Sequence, residues 1–306
     1  MRSGNVMNQV LEAAALEAAA MEAVVQEAAV LRTAAKVAVA AATAAGAAIR
    51  SGLEGAVAVR AKGTAGDLVT DLDLRAEEII LGRLRRAFPE HHILAEESGL
   101  LHGADGTWCW VVDPLDGTNN IAVGLPVYSI GIALCHLGTP VLGVVHEPTT
   151  GYTWSALRGR GATGPRGRLA RAQAPCADSG PILAWLQGYP VARTDPVARA
   201  LRITLEANAR RVIQLWSPLL CWMMLSRGDI DGFVGYRAGL VDLPAGSIIA
   251  REAGVRITDW VGAPLDDRID PNGGEIDFLA GSPEIVGDLA ALVKSAGDVT
   301  VTGLPD

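Results

Sequence analysis

The chain has 306 residues, half of them hydrophobic, so it can bury the core of one large domain or of two modest ones. Its net charge of -8 at pH 7 and its lack of long Lys/Arg runs offer no basic surface to the phosphates of a nucleic-acid polymer. The four scattered cysteines form no CxxC pair, which indicates neither a zinc knuckle nor a disulfide framework and fits a cytoplasmic protein.

The alanine-rich start of the chain is the first predicted element. Residues 8–50 have helix-forming composition and no proline, which predicts one long helix or two. Glutamates recur there at a spacing that scatters them around the axis, so residues 1–24 are expected to form a solvated or partner-packed helical extension, not a membrane-surface helix. The apolar run 37–49 is shorter than the roughly 20 residues that span a bilayer, and the preceding glutamates argue against an export signal.

Two halves with sheet and helix patterns follow, residues 25–170 and 171–306. In the first, a polar turn precedes a helix predicted over 74–88 and ended by Pro89. Strand patterns lie at 107–112, 128–136, 140–146 and 152–157, and a Gly-, Pro- and Arg-rich loop is predicted at 159–168. In the second half, strands and helices alternate at 181–187, 196–209, 219–227, 232–236 and 245–253. The pattern predicts an α/β fold of layered sheets and helices.

Acidic residues are concentrated where predicted strands end. They are Asp67, Asp73, Glu96, Glu97, Asp113, Asp116 and Asp242. Pro114 fixes the backbone of the segment 113–116, so two carboxylates and the Leu115 carbonyl can converge on a hard cation. Oxygen-only ligation selects Mg²⁺ or Mn²⁺ over zinc. Gly117 permits close approach, and the amides of Gly117 and Thr118 can face a phosphate if a helix begins there.

Each carboxylate alone also has a structural explanation. An Asp before Pro forms turns, paired glutamates before Ser-Gly are typical of a solvated loop, and Asp242 could cap a helix. The order and spacing of the whole set are what indicate a metal site.

Four ordered blocks resemble the inositol monophosphatase family of lithium-sensitive phosphatases. The blocks are residues 67–73 (DLVTDLD), 95–98 (AEES), 113–120 (DPLDGTNN) and 241–254, which begins VDLPAG. Weaker similarity extends from residue 25 onward, so only the alanine-rich start lies outside the resemblance. The resemblance implies an αβαβα sandwich of the type shared with fructose-1,6-bisphosphatase, with the site between its halves. It also implies a homodimer, lithium sensitivity and hydrolysis without a covalent enzyme intermediate.

The resemblance further implies the ligands of two magnesium ions. Glu96, Asp113 and the carbonyl of Leu115 would bind the first ion. Asp113, Asp116 and Asp242 would bind the second. A third, weaker cation would also lie on Glu96, and Mn²⁺ could substitute for Mg²⁺.

Catalytic and supporting roles carry over in the same way. Thr118, hydrogen-bonded to Asp73, would orient the attacking water, whose pKa the ions lower. The predicted catalytic residues are Asp73, Thr118 and Glu96. The predicted phosphate-binding residues are Asp116, Gly117 and Thr118. The predicted supporting residues behind the ligands are Lys62, Asp67 and Glu97.

The positions that face the substrate depart from the family pattern. Where the family has a small Gly-Ser/Thr-Ala segment, this chain has Trp216, Ser217 and Pro218. The family glutamate that holds inositol hydroxyls falls, without gaps, on Gly235. Retained ligands with altered rim residues predict preserved hydrolysis of a substrate other than a myo-inositol phosphate. Trp216 could stack on a nucleobase or a sugar ring, or could equally be a core residue.

Two other motifs are rejected on context. Residues 159–164 (GRGATG) spell GxGxxG, but Pro165 and the charged residues after it cannot open the helix that a dinucleotide site needs. His91 and His92 are adjacent, so their side chains point in different directions, and solvated loop histidines are the expected interpretation.

These features predict a Mg²⁺-dependent phosphomonoesterase that hydrolyses a small phosphorylated metabolite such as an inositol, cyclitol or sugar phosphate. One alternative is a nucleotide phosphatase of the same fold, acting on a nucleoside monophosphate or on 3'-phosphoadenosine 5'-phosphate. The alternative from another class is a non-catalytic binding protein. The retained acidic set argues against it, because a binding module has no need of so many mutually repelling carboxylates.

Overall fold

The computed structural model describes residues 28–55, 57–62, 67–170, 180–270 and 273–299. The helices in these ranges are α1 (Ala28–Gly52), α2 (Asp71–Ala87), α3 (Thr118–Ala122), α4 (Pro196–Asn208), α5 (Pro218–Arg227), α6 (Pro244–Glu252) and α7 (Pro283–Ala296). The strands are β1 (Val59–Lys62), β2 (Asp67–Thr70), β3 (His91–Ala95), β4 (Gly99–Leu101), β5 (Asp105–Asp116), β6 (Ser129–His136), β7 (Thr139–Glu147), β8 (Tyr152–Leu157), β9 (Gly161–Gly164), β10 (Gly167–Leu169), β11 (Ile182–Gln187), β12 (Arg211–Ile213), β13 (Gly232–Ala238), β14 (Arg256–Thr258) and β15 (Ile276–Gly281).

The strands form a two-stranded ribbon, β1-β2, and two larger sheets. The eight-stranded sheet has the order β10-β9-β8-β7-β6-β5-β3-β4 and is antiparallel except for the β3/β5 pair. The five-stranded sheet has the order β12-β11-β13-β15-β14 and mixes parallel and antiparallel pairs. The larger sheet therefore comes from residues before 171, and the smaller sheet from residues after 180.

Helices cover both faces of both sheets, in five layers. α1 and α2 pack on one face of the eight-stranded sheet. α5 and α6 lie between the two sheets, and α4 and α7 cover the far face of the five-stranded sheet. The predicted αβαβα sandwich is confirmed.

Strand β6 shows why its sheet is buried on both faces. Its alternate residues Ile130, Ile132 and Leu134 contact the α1/α2 layer. Its other face carries small residues: a Cβ on Gly131 would lie 2.5 Å from Leu219 of α5. In β7, a Cβ on Gly143 would lie 2.4 Å from Ile248 of α6. Small residues on this face let α5 and α6 approach the sheet closely, which positions the loops that lead into both helices.

Helix α1 confirms the predicted helix for residues 28–50, while residues 1–27 lie outside the described residues. Its length and composition alone would allow it to cross a membrane. Helices that pack on the core of a globular domain share this length and composition. Ala34, Ala38, Ala41 and Ala45 recur at helical spacing and are fully buried against the domain core.

The structure differs from the sequence prediction at the end of β5 and in the loop 159–168. β5 continues past residue 112 to Asp116 and carries Pro114 within it. The predicted loop 159–168 contains the hairpin β9/β10, whose edge position tolerates glycine and arginine. Because a strand and not a helix follows the GxGxxG spelling, its rejection as a dinucleotide site is confirmed.

The expectation of loop histidines at 91–92 was wrong. Both residues begin β3. The ring of His91 stacks on Phe88 at 4.9 Å between centroids and on Trp108 at 5.6 Å. Burial lowers the pKa of His91, so it serves as a neutral packing residue.

Candidate metal centre and substrate cavity

A cavity of about 490 Å³ is lined by residues from both sheets and from the loops that join them to α3, α5 and α6. The predicted site residues that line it are Glu96, Asp113, Leu115, Asp116, Gly117, Thr118, Trp216, Ser217, Pro218 and Asp242. Lys62, Asp73 and Glu97 lie behind this surface and contact residues that line it or adjoin them. The side chain of Asp67 lies outside the described residues.

The segment from Asp113 to Thr118 turns the chain from strand into helix. The pairing of β5 with β6 bulges between Asp113 and Asp116, and the amide of Leu115 donates to Asp113 Oδ1 at 3.1 Å. Gly117 has a left-handed φ of 100°, and a Cβ there would lie 2.6 Å from the carbonyl oxygen of Val127. Only glycine fits that position. Helix α3 begins at Thr118, as the phosphate-binding prediction required.

Asp116 is buried and held by three donors. The hydroxyls of Ser129 and Ser217 donate to its Oδ2 at 3.0 and 2.7 Å, and the amide of Leu219 donates to the same oxygen at 2.9 Å. These donors leave the lone pairs of Oδ1 for a ligand. Burial raises the pKa of Asp116 to about 7 in spite of the donors. Asp116 is therefore a rigid carboxylate whose charge is unfavourable without a cation.

Thr118 joins the cavity to a second buried carboxylate. Its Oγ1 lies 2.7 Å from Asp73 Oδ1 and 3.0 Å from the carbonyl oxygen of Leu115. A hydroxyl has one proton, which the nearer and charged acceptor takes. Asp73 Oδ2 in turn accepts from the amide of Thr70 at 2.8 Å as part of the cap of α2. The hydroxyl of Thr118 is thereby oriented with its lone pairs available to a water molecule.

The turn that carries Glu96 is held from behind by α2. Buried Glu77 accepts from the amide of Glu97 at 2.9 Å and from the hydroxyl of Ser98. Lys62 Nζ donates to Glu96 at 3.1 Å and to Glu97 at 2.8 Å. Partial burial lowers the pKa of Lys62, but the two glutamates outweigh it and the net shift is upward. Sequence reasoning found Lys62 and Glu97 but missed Glu77, which the sequence presents as one more helical glutamate.

The acidic side chains of the cavity affect one another electrostatically. Burial raises the pKa of Asp113 well above its usual range, and Glu96, Asp116 and Asp242 raise it further. Burial also raises the pKa of Glu96 to about 7, with Lys62 opposing and Asp242 adding to the shift. The four carboxylates thus lie in one site, where negative charge without a cation is unfavourable.

The oxygen-rich donor set fits Mg²⁺ or Mn²⁺. Among the described residues, no three Asp, Glu, His or Cys side chains are already gathered in the arrangement of a metal ligand set. A Cβ at position 239 would lie 3.1 Å from Asp242 Oδ2, so glycine there leaves room for this carboxylate.

The predicted substrate rim needs one correction, at Gly235. Gly235 does not face the cavity: a Cβ there would lie 2.1 Å from the ring of Phe278, inside the core. The alternative that Trp216 is a core residue is wrong, because Trp216 is 50% exposed and lines the cavity. Ser217 lines the cavity but is fully buried and holds Asp116.

Comparison with known proteins agrees with this geometry. A family model described as the inositol monophosphatase family matches residues 30–294. A Pasteurella multocida protein named Nus factor SuhB is 34% identical over 230 residues, which cover 74% of this chain and 85% of the relative. An inositol-1-monophosphatase of Synechocystis is 34% identical over 236 residues, covering 77% of this chain and 82% of the relative.

Solved structures show the same relationship. The extragenic suppressor protein suhB from Bartonella henselae superimposes with a TM-score of 0.75 at 29% identity, over 85% of this chain and 97% of that one. The inositol monophosphatase from Anabaena superimposes with a TM-score of 0.73 at 28% identity, over 87% of this chain and 96% of that one. From its sequence, fold and site together, the chain belongs to the inositol monophosphatase family.

Proposed function

We propose that this protein is a phosphomonoesterase that uses Mg²⁺ to hydrolyse a small phosphorylated metabolite, such as a sugar or cyclitol phosphate. One observation carries the proposal: four carboxylates line a single cavity beside the Thr118–Asp73 hydrogen bond. Carboxylates that raise one another's pKa in a buried site are unfavourable unless a cation joins them. Membership of the inositol monophosphatase family supports the same activity.

The proposed site binds two or three Mg²⁺ ions. Their ligands would be Glu96, Asp113, Asp116, Asp242 and the carbonyl of Leu115. When bound, the ions would lower the pKa of a water molecule and stabilise negative charge on the phosphoryl group. Mn²⁺ favours the same oxygen ligands and is expected to substitute.

The protein's own groups would orient the water and hold the phosphate. Thr118 Oγ1 would accept a hydrogen bond from the attacking water. As the water attacks, its proton would pass to Thr118 Oγ1 while the Thr118 proton passes to Asp73 Oδ1, 2.7 Å away. The amides of Gly117 and Thr118, at the start of α3, would donate to phosphoryl oxygens.

Phosphate release from a panel of monoesters tests the proposal. The panel contains myo-inositol 1-phosphate, fructose 6-phosphate, histidinol phosphate and adenosine 5'-monophosphate, each assayed with Mg²⁺ and with excess EDTA. We expect Mg²⁺-dependent release from at least one compound, and inhibition by Li⁺ in competition with Mg²⁺. Preferred hydrolysis of inositol phosphate would contradict the altered specificity expected from the rim, and release from no compound would contradict the proposal.

Two rivals are separated by the same panel. A nucleotide phosphatase is favoured by the exposed indole of Trp216 at the cavity, and predicts that nucleotides are the best substrates. A non-catalytic binding protein is favoured by the relatives named Nus factor SuhB, and predicts no hydrolysis of any compound. By family analogy the proposal includes a cytoplasmic location and a homodimer. Light scattering on the purified protein would test the homodimer.

A further inference from the structure

The cavity has a second end whose charge is opposite to that of the carboxylate end. Three arginines line it: Arg193 in the loop before α4, Arg202 in α4 and Arg237 in β13. The four carboxylates line the same cavity. A small-molecule cavity of this size places its few charged groups where they contact the ligand.

The structure holds Arg237 in place at some conformational cost. Its backbone φ is 51°, a left-handed value that residues other than glycine rarely adopt. The pairing of β13 with β15 shifts register between Gly235 and Ala238, so a bulge re-aims this side chain. Asp277 Oδ1 accepts from the amide of Arg237 at 2.7 Å, and a Cβ on Gly188 would lie 1.8 Å from the Arg237 carbonyl oxygen. Backbone strain of this kind is concentrated at functional sites.

Arg237 retains donors for a ligand. Its Nε donates to Glu275 Oε2 at 2.6 Å, which orients the guanidinium. Its two terminal nitrogens have no acceptor among the described residues, and a guanidinium has five N–H donors. The other acids beside it are Asp277, which accepts from its backbone, and Asp195, which caps α4.

The other two arginines form no ion pair closer than 3.9 Å among the described residues. Arg193 is exposed, and its guanidinium has no acid partner among the described residues. Arg202 has only a 3.9 Å contact with exposed Glu206, a type of pair that contributes little. Glu275 is the acid that lines this end of the cavity, against three arginines.

We infer that this arginine end, the residues Arg193, Arg202 and Arg237, is a subsite for a second anionic group on the substrate. The inference rests on the proposed phosphatase function, with the scissile phosphate at the carboxylate end. The substrate class is then a phosphate monoester whose leaving group carries a second phosphate or a carboxylate. The exposed indole of Trp216 and the ring of Tyr189, which also line the cavity, would cover the body of the substrate between its two anions.

Matched substrate pairs test the subsite in the full-length protein with Mg²⁺. Each pair differs in the second anion: fructose 6-phosphate and fructose 1,6-bisphosphate, adenosine 5'-monophosphate and adenosine 3',5'-bisphosphate, glycerol 2-phosphate and 2-phosphoglycerate. We expect kcat/KM to be at least about tenfold higher for the doubly anionic member of one or more pairs, equivalent to about 1.4 kcal/mol. Arg237→Gln should lower that ratio about tenfold, chiefly through KM, and Arg237→Lys should restore part of it.

Two further variants complete the design. Arg193→Gln lies on an exposed loop and is expected to fold normally and to lower the ratio about threefold. The control is Arg268→Gln, which removes an arginine paired with Asp266 that does not line the cavity, and should leave the ratio unchanged. Hydrolysis without any preference, or equal loss for both members of each pair in Arg237→Gln, would overturn the subsite alone. No hydrolysis of any compound would overturn the proposed function and the subsite together.

Discussion

The two ends of the cavity are built in different ways. At the carboxylate end, one contiguous segment, Asp113 to Thr118, supplies most of the polar groups, and buried donors hold Asp116. At the arginine end, Arg193 and Arg202 are exposed and Arg237 is partly exposed, and the three come from a loop, a helix and a strand. Arg237, and Trp216 on the rim between the two ends, have left-handed φ values of 51° and 52°. If the proposed function holds, the groups that every phosphate ester needs lie in rigid, buried structure. The groups that would select one ester then lie on a strained and exposed rim.

The largest effect is expected from Asp116→Asn. The amide cannot supply the negative charge that a cation requires, so Mg²⁺-dependent phosphate release should fall by about 10³-fold or more. Circular dichroism should show a folded protein. Asp288→Asn, an exposed substitution on α7, is the matched control and should retain full activity. Undiminished turnover of Asp116→Asn would remove the carboxylate end from the reaction.

A smaller effect is expected at Thr118. Thr118→Val keeps the side-chain volume but removes the hydroxyl that donates to Asp73, so kcat should fall by about 10²-fold. Thr118→Ser keeps the hydroxyl and should stay within about tenfold of the original kcat. If valine and serine gave the same rate, the hydroxyl would have no part in orienting the water.

Glu77→Gln tests whether a residue that does not line the cavity affects the affinity of the site for Mg²⁺. Its carboxylate accepts from the Glu97 amide and the Ser98 hydroxyl, and glutamine can accept from only one of them without turning a donor toward the other. The Mg²⁺ concentration for half-maximal activity should rise by about tenfold. Glu78→Gln, the exposed neighbour on α2, is the control. An unchanged Mg²⁺ requirement would limit Glu77 to a role in stability.

The pKa shifts predict how the stability of the metal-free protein depends on pH. Burial raises the pKa values of Asp116 and Glu96 to about 7, so the folded state binds more protons than the unfolded state between the ordinary carboxyl pKa and that value. Their contribution is fully present below pH about 4 and is lost as the pH rises to about 7. Thermal unfolding in EDTA should therefore show a falling Tm over this range, and Mg²⁺ should raise Tm more at pH 8 than at pH 5. An equal Mg²⁺ effect at both pH values would contradict the assignment.

The smallest effect concerns Trp216. At its φ of 52°, glycine is unstrained while alanine is not, so Trp216→Gly should be more stable than Trp216→Ala by about 1 kcal/mol. Both should raise KM for the best substrate if the indole covers it. Urea unfolding and steady-state kinetics of the pair measure the two quantities. Equal stability of the two variants would show that the backbone relaxes on loss of the ring.

Sequence alone determined the parts of this protein that depend on neighbours in the chain. The segment 113–118 carries its ligands, its proline and its glycine within six positions, so its strand-to-helix turn could be predicted from local geometry. Short apolar segments between turn residues predicted the buried strands. The ordered acidic blocks indicated the family.

Only the tertiary structure decided which residues support and surround that segment. Ser217 reaches Asp116 across 101 positions and Glu77 reaches the amide of Glu97 across 20, separations that no local pattern encodes. Gly235 and Arg237 are two positions apart in β13 and would lie on the same face of a regular strand. The bulge between Gly235 and Ala238 shifts the register, so Gly235 faces the core while Arg237 faces the cavity.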